Sequence, residues 1–232
     1  MKAFWTLLTS IFIVIVLSFS FLFFKSNYVI GRLLSSTFHS KVTIDHVGYT
    51  KKEIQIQEFT LYNPSEYTTP KALFIKNIDI NAPYSNYLKK IIQIHEIEIH
   101  DAVLNFVFND RKGSESNWSH LIGNLSNEKQ PDDITKDDSQ GRYAVIDLLT
   151  INQLTVNIMT PGKKTETKVL KNLQFKHVVT KKGDITRRIT QVVLYHMLFD
   201  YQNLIKIPAQ FADKASTNFF HLFQVPSVNQ TH

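Results

Sequence analysis

The chain contains no cysteine, which excludes a disulfide framework and thiolate metal sites. Only 7 of its 232 residues are glycine, and it carries no phosphate-binding, dinucleotide-binding, nucleophile-elbow or zinc-protease motif. The paired acids Asp132-Asp133 and Asp137-Asp138 lie in a polar stretch that would hold no fixed geometry for catalysis. The sequence therefore predicts a protein that is not an enzyme, with no catalytic residues, no metal site and no cofactor.

Histidine is better represented, with 9 residues, and its imidazole can serve both as a metal ligand and as an acid–base group. His95 and His100 lie five residues apart on one expected strand, which would place them on opposite faces. His196 and Asp200 have the i, i+4 spacing of a helix, and an isolated pair of this kind is typical of structural contacts. The histidine pattern therefore predicts no catalytic or metal-binding site.

Long apolar runs are also absent after the first 25 residues. Residues 3–24 contain no charge, and about 22 residues at ~1.5 Å each suffice to cross a hydrocarbon core of ~30 Å. A cleaved signal peptide usually has a shorter apolar core of roughly 7–15 residues. We therefore expect residues 1–25 to form an uncleaved transmembrane anchor. Lys2 on one side and Lys25 and Arg32 on the other give no orientation preference, and translocation of the long C-terminal part is the default.

The most informative positive feature is a repeated apolar pattern in which three apolar residues are separated by two and then one mostly polar position. A half-buried strand has period two, so the two-residue gap predicts one shift of the buried face, as a β-bulge or a local bend would produce. Repetition of one unit favours a sheet extended by addition, forming a groove, over a closed catalytic pocket. The five copies are Ile56/Phe59/Leu61, Ile75/Ile78/Ile80, Ile94/Ile97/Ile99, Ile146/Leu149/Ile151 and Leu170/Leu173/Phe175.

A longer self-match supports the repeat as a structural unit. Six apolar positions between residues 94 and 106 recur, with their spacing kept, 52 residues later. The first set is Ile94, Ile97, Ile99, Ala102, Leu104 and Phe106, and the second is Ile146, Leu149, Ile151, Leu154, Val156 and Ile158.

These patterns predict a mainly β (α+β) fold, in which an N-terminal transmembrane helix precedes an extended, repeat-built antiparallel sheet or groove with a C-terminal helix packed on it. Residues 26–125 form the first β-rich segment, and the polar residues 126–142 form a flexible linker. Residues 143–205 form the second β-rich segment with its helix over 185–205, and residues 206–232 form a tail.

Charge is unevenly distributed along the chain. The net charge is +6, and basic residues are concentrated between Lys163 and Arg188, where only Glu166 and Asp184 oppose them. One interpretation is attraction to anionic lipid headgroups, and the other is a solvated strand face with two turns. The membrane tether disfavours nucleic-acid binding. The candidate contacts with an anionic surface are Lys163, Lys164, Lys181, Lys182, Arg187 and Arg188.

Several short segments follow a recognisable order after the N-terminal stretch. Strand residues run into Asn63-Pro64, Ala72-Leu73 lead into the next strand, and Gly113 with Ser116-Asn117 follows a strand pair over 94–108. In this order the chain resembles the AsmA-like family of Gram-negative envelope proteins. The resemblance covers most of residues 1–205, and it supplies no catalytic residues.

The resemblance implies a single-pass protein of the bacterial inner membrane, with its N-terminus in the cytoplasm and its bulk in the periplasm. It further implies a role in envelope assembly or phospholipid homeostasis, with membrane lipids as partners and acyl chains sheltered on an apolar sheet face. The alternative is a scaffold or interaction subunit of an envelope complex, in which the same side chains only pack under the helix. The candidate lipid contacts are Ile56, Phe59, Leu61, Ile78, Ile80, Ile97, Ile99, Leu149 and Ile151.

Overall fold

Half-apolar strands assemble into one seven-stranded mixed sheet. The computed structural model describes residues 25–111, 115–127, 141–180 and 185–199, with only the backbone described at 123–127, 185–187 and 199. The mainly β fold predicted from the sequence is confirmed. The strands are β1 (Val42–Thr43), β2 (His46–Tyr49), β3 (Glu53–Tyr62), β4 (Lys71–Asn81), β5 (Ile91–Val107), β6 (Tyr143–Met159) and β7 (Glu166–Val179).

In the described residues three α-helices accompany the sheet: α1 (Ser26–Phe38), α2 (Asn117–Asn127) and α3 (Ile185–Phe199), together with a short 3₁₀ helix at Tyr84–Leu88. None of the helices in the described part of the chain is long and apolar enough to cross a membrane. All but the last residue of the anchor expected over residues 1–25, most of the linker expected over 126–142 and the tail from 206 lie outside the described residues.

The strand order is β1-β3-β4-β5-β6-β7, and β2 also pairs with β3. Every pairing is antiparallel except that of β5 with β6, which is parallel. The expectation of a purely antiparallel sheet is therefore wrong at the centre. The physical reason is the long connection between Val107 and Tyr143, because a parallel pair needs a crossover of about a dozen residues or more.

The self-match in the sequence corresponds to this parallel pair. Ile94 pairs with Ile146, Ile97 with Leu149 and Ile99 with Ile151, and the three later positions pair in the same way. The offset of 52 residues is therefore the register of β5 against β6, and equivalent apolar side chains lie beside one another on the same face. Both β-rich segments of the sequence contribute to one sheet.

The predicted shift of the buried face is confirmed in the five copies, but no extra residue is inserted as in a β-bulge, because the residues left out of the pairing oppose one another and the register is the same on both sides. Within the gap of each copy, one residue is omitted from a regular pairing: Glu58, Lys76, His95, Asp147 and Asn172. Glu58 and Asn172 have positive φ values of 51° and 54°, a conformation that locally interrupts a strand. The irregularities keep Ile56 and Phe59 on the same side of the sheet although they are three residues apart.

One face of the sheet, called here the inner face, carries the apolar core. α1, α2 and α3 pack against strands of the sheet, and they bury inner-face side chains such as Ile94, Ile99, Leu104 and Ile146, which are all 0% exposed. Trp118 of α2 is also fully buried, and its Nε1 donates a hydrogen bond to the Asn105 carbonyl at 2.9 Å. The opposite, outer face carries mostly polar side chains, and the three helices in the described part of the chain lie on the inner side.

Candidate functional site: an apolar slot under two helices

An apolar cavity of about 300 Å³ lies between the inner face and helices α1 and α3. Ile30, Leu33 and Phe38 form its α1 wall, and Ile189, Val193 and Met197 form its α3 wall. Side chains of β3, β4 and β5 form its floor. Its volume is at the lower end of the ~300–1,000 Å³ that is typical of ligand pockets. We call this cavity the slot.

The slot is elongated along the strands. On β4 alone its lining extends from Leu73 to Ile80, a separation of seven residues or roughly 23 Å at ~3.3 Å per residue. A small volume distributed over such a length fits one extended chain better than a bulky ring system. The geometry therefore suits a single acyl chain lying parallel to β4.

The structure divides the nine residues that the sequence nominates for lipid contact into two groups. Leu61, Leu149 and Ile151 are 0% exposed and do not line the slot, so they belong to the packed core. The other six all line the slot: Ile56, Phe59, Ile78, Ile80, Ile97 and Ile99.

Polar atoms are scarce in the slot. Among the lining residues only Thr190 and Tyr87 have polar side-chain atoms, and none is charged. The Tyr87 hydroxyl is buried and has no hydrogen-bond partner in the described part of the chain. Burial, with a smaller contribution from Tyr84, raises the pKa of Tyr87 to about 12. The hydroxyl therefore remains a neutral donor at physiological pH, and sequence reasoning gave no signal for it.

Three of the six cations that the sequence nominates for an anionic surface have described side chains, and these three do not form one patch. Lys163 and Lys164 are exposed in the turn between β6 and β7, where Lys163 lines a mixed polar cavity of about 330 Å³ with Glu66 and Asn109. Arg188 lies near the start of α3, at the other end of β7, and donates to Gln191 Oε1 at 3.2 Å. Lys181, Lys182 and the side chain of Arg187 lie outside the described residues.

A different group of cations lies at the end of the sheet where β3 begins. The backbone N–H of Ala82 donates to the Lys52 carbonyl at 2.9 Å, and Arg142 donates from Nε to the Lys89 carbonyl at 3.2 Å and from Nη2 to the Tyr87 carbonyl. These contacts join three chain segments that are distant in sequence, which is why the sequence did not reveal the group. We call this region the cationic end; its exposed cations are Lys51, Lys52, Lys89, Lys90 and Arg142.

The outer face holds a polar network around His100. Its Nε2 lies 3.1 Å from Asp79 Oδ2 and 3.7 Å from Glu98 Oε1, and Asn152 Nδ2 lies 2.9 Å from His100 Nδ1. Ligand atoms of Asp79, Glu98 and His100 lie within 4.8 Å of one another, a spacing that a metal ion could bridge. The sequence did not indicate this cluster, because its members come together only through strand pairing.

His95 does not lie on the face opposite to His100, contrary to the sequence interpretation. Its Nδ1 lies 3.4 Å from Asp147 Oδ2, and Asp147 also accepts a hydrogen bond from Gln93 on the outer face. The irregularity at His95 changes the alternation between the two histidines, so both contact polar partners on the outer face.

The fold and the slot define the class of molecule: a mixed β-sheet with helices on one face and an apolar cavity beneath them. Comparison of the chain with protein-family models, with curated proteins and with solved structures finds no match. Arguments about function therefore depend on the residues of the slot and of its surroundings.

Proposed function

We propose that this protein is a membrane-anchored acyl-chain-binding protein of the bacterial envelope, related to the AsmA-like family and not an enzyme. In this proposal residues 1–25 anchor it in the inner membrane, the remainder faces the periplasm, and the slot shelters one acyl chain during envelope assembly or phospholipid homeostasis. The observation that carries the proposal is the elongated apolar slot of about 300 Å³ on the inner face.

Apolar burial supplies the binding energy. Transfer of apolar surface from water into an apolar site yields ~25 cal/mol per Å², and the walls of the slot are almost entirely aliphatic and aromatic. Because no charged side chain lines the slot in the described part of the chain, a charged headgroup would lie outside it. The ligand class is therefore an amphiphile whose chain enters the slot.

Tyr87 determines which end of the slot would hold the polar part of the ligand. Its buried hydroxyl can donate a hydrogen bond to an acceptor on the ligand, such as an ester or carboxyl oxygen. Since a buried donor without a partner is costly by ~1–3 kcal/mol, a ligand that satisfies it gains affinity over a plain hydrocarbon. Tyr87 follows the end of β4, so the polar part of the ligand would lie at the cationic end.

The test uses native mass spectrometry and lipid extraction of the full-length chain. The variant Ile78→Trp places a large side chain in the slot without adding charge, and we expect it to reduce bound acyl lipid at least ~10-fold. The matched control is Ile91→Trp, at an apolar residue outside the slot that is 44% exposed, and it should retain lipid. Equal lipid content in both variants, with cooperative melting preserved, would contradict the proposal.

A second candidate function is docking of a partner protein, and the exposed edge of β7 favours it. β7 ends the strand order and pairs only with β6 in the described part of the chain. An unpaired edge can accept a strand from another protein. This corresponds to the scaffold alternative, in which the slot needs no ligand.

The docking alternative can be tested with a photo-crosslinking amino acid introduced at Val169 of β7, which is 50% exposed. A stoichiometric envelope protein crosslinked at Val169 and not at Leu33 of α1, 48% exposed, would support docking at β7. No specific adduct at Val169, together with lipid in the slot, would leave only the acyl-chain proposal.

A further inference from the structure

The cationic end combines five exposed cations with an exposed apolar tip. Leu88 is 89% exposed and Tyr84 is 42% exposed, and Leu88 is followed directly by Lys89 and Lys90. A large aliphatic side chain exposed to this degree, flanked by cations, is typical of surfaces that enter the interfacial region of a bilayer.

Positively charged side chains outnumber carboxylates at the cationic end. The described segments that form it, residues 50–54, 81–92 and 141–144, contain five cations and a single carboxylate, Glu53. None of the five cations forms a salt bridge with any acid of the described residues. Two further carboxylates lie on the adjoining strands: Asp147 contacts His95 and Gln93, and Glu96, which pairs with Asn81 in the rung that also holds Glu53, accepts a hydrogen bond from Thr150. The region is therefore complementary to an anionic surface.

The direction of α1 is an independent observation. Asn27 Nδ2 donates to the Asp45 carbonyl at 2.7 Å, and Val42 N donates to Ser35 Oγ at 2.8 Å. Asp45 N bonds to the Gln57 carbonyl, whereas Val42 pairs with Leu61. α1 therefore runs alongside β3 in the same direction, and its N-terminus points toward the cationic end. The uncharged residues 3–24 directly precede this N-terminus.

We propose that the cationic end is a membrane-contact surface, in which Leu88 enters the headgroup region of an anionic bilayer while Lys51, Lys52, Lys89, Lys90 and Arg142 contact its anionic groups. This inference shares with the proposed function the anchor over residues 1–25, and it does not require that the slot holds a ligand. Contact at this end places Tyr87 and the adjoining end of the slot at the membrane surface, so a chain could pass from bilayer to slot without crossing water.

The absence of cysteine allows a single label at a chosen position. The full-length Leu88→Cys variant carries a nitroxide and is reconstituted in vesicles of phosphatidylcholine alone or mixed equally with phosphatidylglycerol. Electron paramagnetic resonance then measures the accessibility of the nitroxide to oxygen and to a water-soluble relaxing agent. The control is the same label at Val169→Cys, an exposed aliphatic position on β7.

We expect the label at position 88 to be lipid-exposed in mixed vesicles and more water-exposed in phosphatidylcholine, while the label at position 169 stays in water in both. Adding Lys89→Gln and Lys90→Gln should lower the ratio of lipid-exposed to water-exposed label at position 88 on mixed vesicles by on the order of fivefold per cation. A label at position 88 that stays in water on both vesicles, or labels that respond equally at both positions, would overturn the proposal. Slot occupancy is measured separately by lipid extraction, so the two proposals can fail independently.

Discussion

Asn117 shows how one side chain can complete the edge of a strand. Its Oδ1 accepts the N–H of Val107 at 2.9 Å, and its Nδ2 donates to the Asn105 carbonyl at 2.8 Å and to Asn63 Oδ1 at 2.7 Å. β4 pairs with β5 only as far as Leu104, so the amide of Asn117 substitutes for a missing neighbouring strand. Asn63 and Asn117, which the sequence singles out as separate features, form one contact.

We expect Asn117→Ala to lower the free energy of unfolding by roughly 3 kcal/mol, because it leaves buried polar groups of β5 without partners. Denaturant titration measures the change. Asn81→Ala, at an exposed asparagine at the end of β4, is the control and should stay within about 0.5 kcal/mol of the parent. Similar values for the two variants would show that Asn117 does not stabilise the β5 edge.

Tyr87 predicts a fall in stability in alkaline solution. Its folded-state pKa of about 12 lies above the ordinary value of 10.0, so the folded state binds this proton more tightly than the unfolded chain. The associated stability is fully present below pH 10 and is lost as the pH rises toward 12. Unfolding titrations between these pH values should show a smaller fall for Tyr87→Phe than for the parent.

Part of the alkaline fall should remain in that variant, because burial also raises the pKa of Tyr67. Identical pH dependence in the parent and in Tyr87→Phe would mean that the Tyr87 hydroxyl is not buried in solution.

At the level of elements, the interruptions of the strands are the best-predicted feature. The two-residue gap in each apolar copy locates an irregularity because only a shifted strand can keep both flanking residues on the inner face. Glu58, which is exposed and has a φ of 51°, is one example. The prediction that His95 and His100 lie on opposite faces was wrong because it assumed regular alternation along β5, whereas His95 is itself an irregular position.

The left-handed conformation of Glu58 predicts that glycine stabilises the fold at position 58 and destabilises it at the neighbouring position 57. A left-handed conformation costs a non-glycine residue roughly 1–2 kcal/mol, so Glu58→Gly should stabilise the fold by about 0.5–1 kcal/mol after the added entropy of glycine is subtracted. Gln57→Gly, at a regularly paired position, should destabilise it by about 1 kcal/mol. Thermal and denaturant unfolding of both variants measure the difference, and destabilisation by both would contradict the account.

The direction of pairing between β5 and β6 could not be predicted from their side chains. A strand with one buried face has the same apolar pattern in parallel and in antiparallel pairs. The 52-residue match did contain the register, since Ile94 and Ile146 are direct neighbours. The deciding information lies in the long connection between the strands, which includes α2 and whose course the apolar pattern of β5 and β6 does not specify.

At the scale of the whole molecule, the sequence identified the inner face but not the slot. Leu149 and Ile97 carry the same pattern, yet Leu149 lies in the packed core and Ile97 lines the slot, because their positions relative to α1 and α3 differ. The approach of two helices that are distant in sequence leaves no local signal. The same holds for the cationic end, whose charges come from three segments that are distant in sequence.

The most direct test of the acyl-chain proposal is to map where a bound chain lies. A fatty acid with a photoreactive diazirine near the end of its chain is bound to the full-length protein, irradiated, and located by peptide mass spectrometry. The account predicts adducts on inner-face peptides of β4 and β5 and on α1 or α3, with strong loss in Ile78→Trp and none in Ile91→Trp. Adducts confined to residues 3–24, or unchanged labelling of the inner face in Ile78→Trp, would contradict the claim that the slot holds an acyl chain.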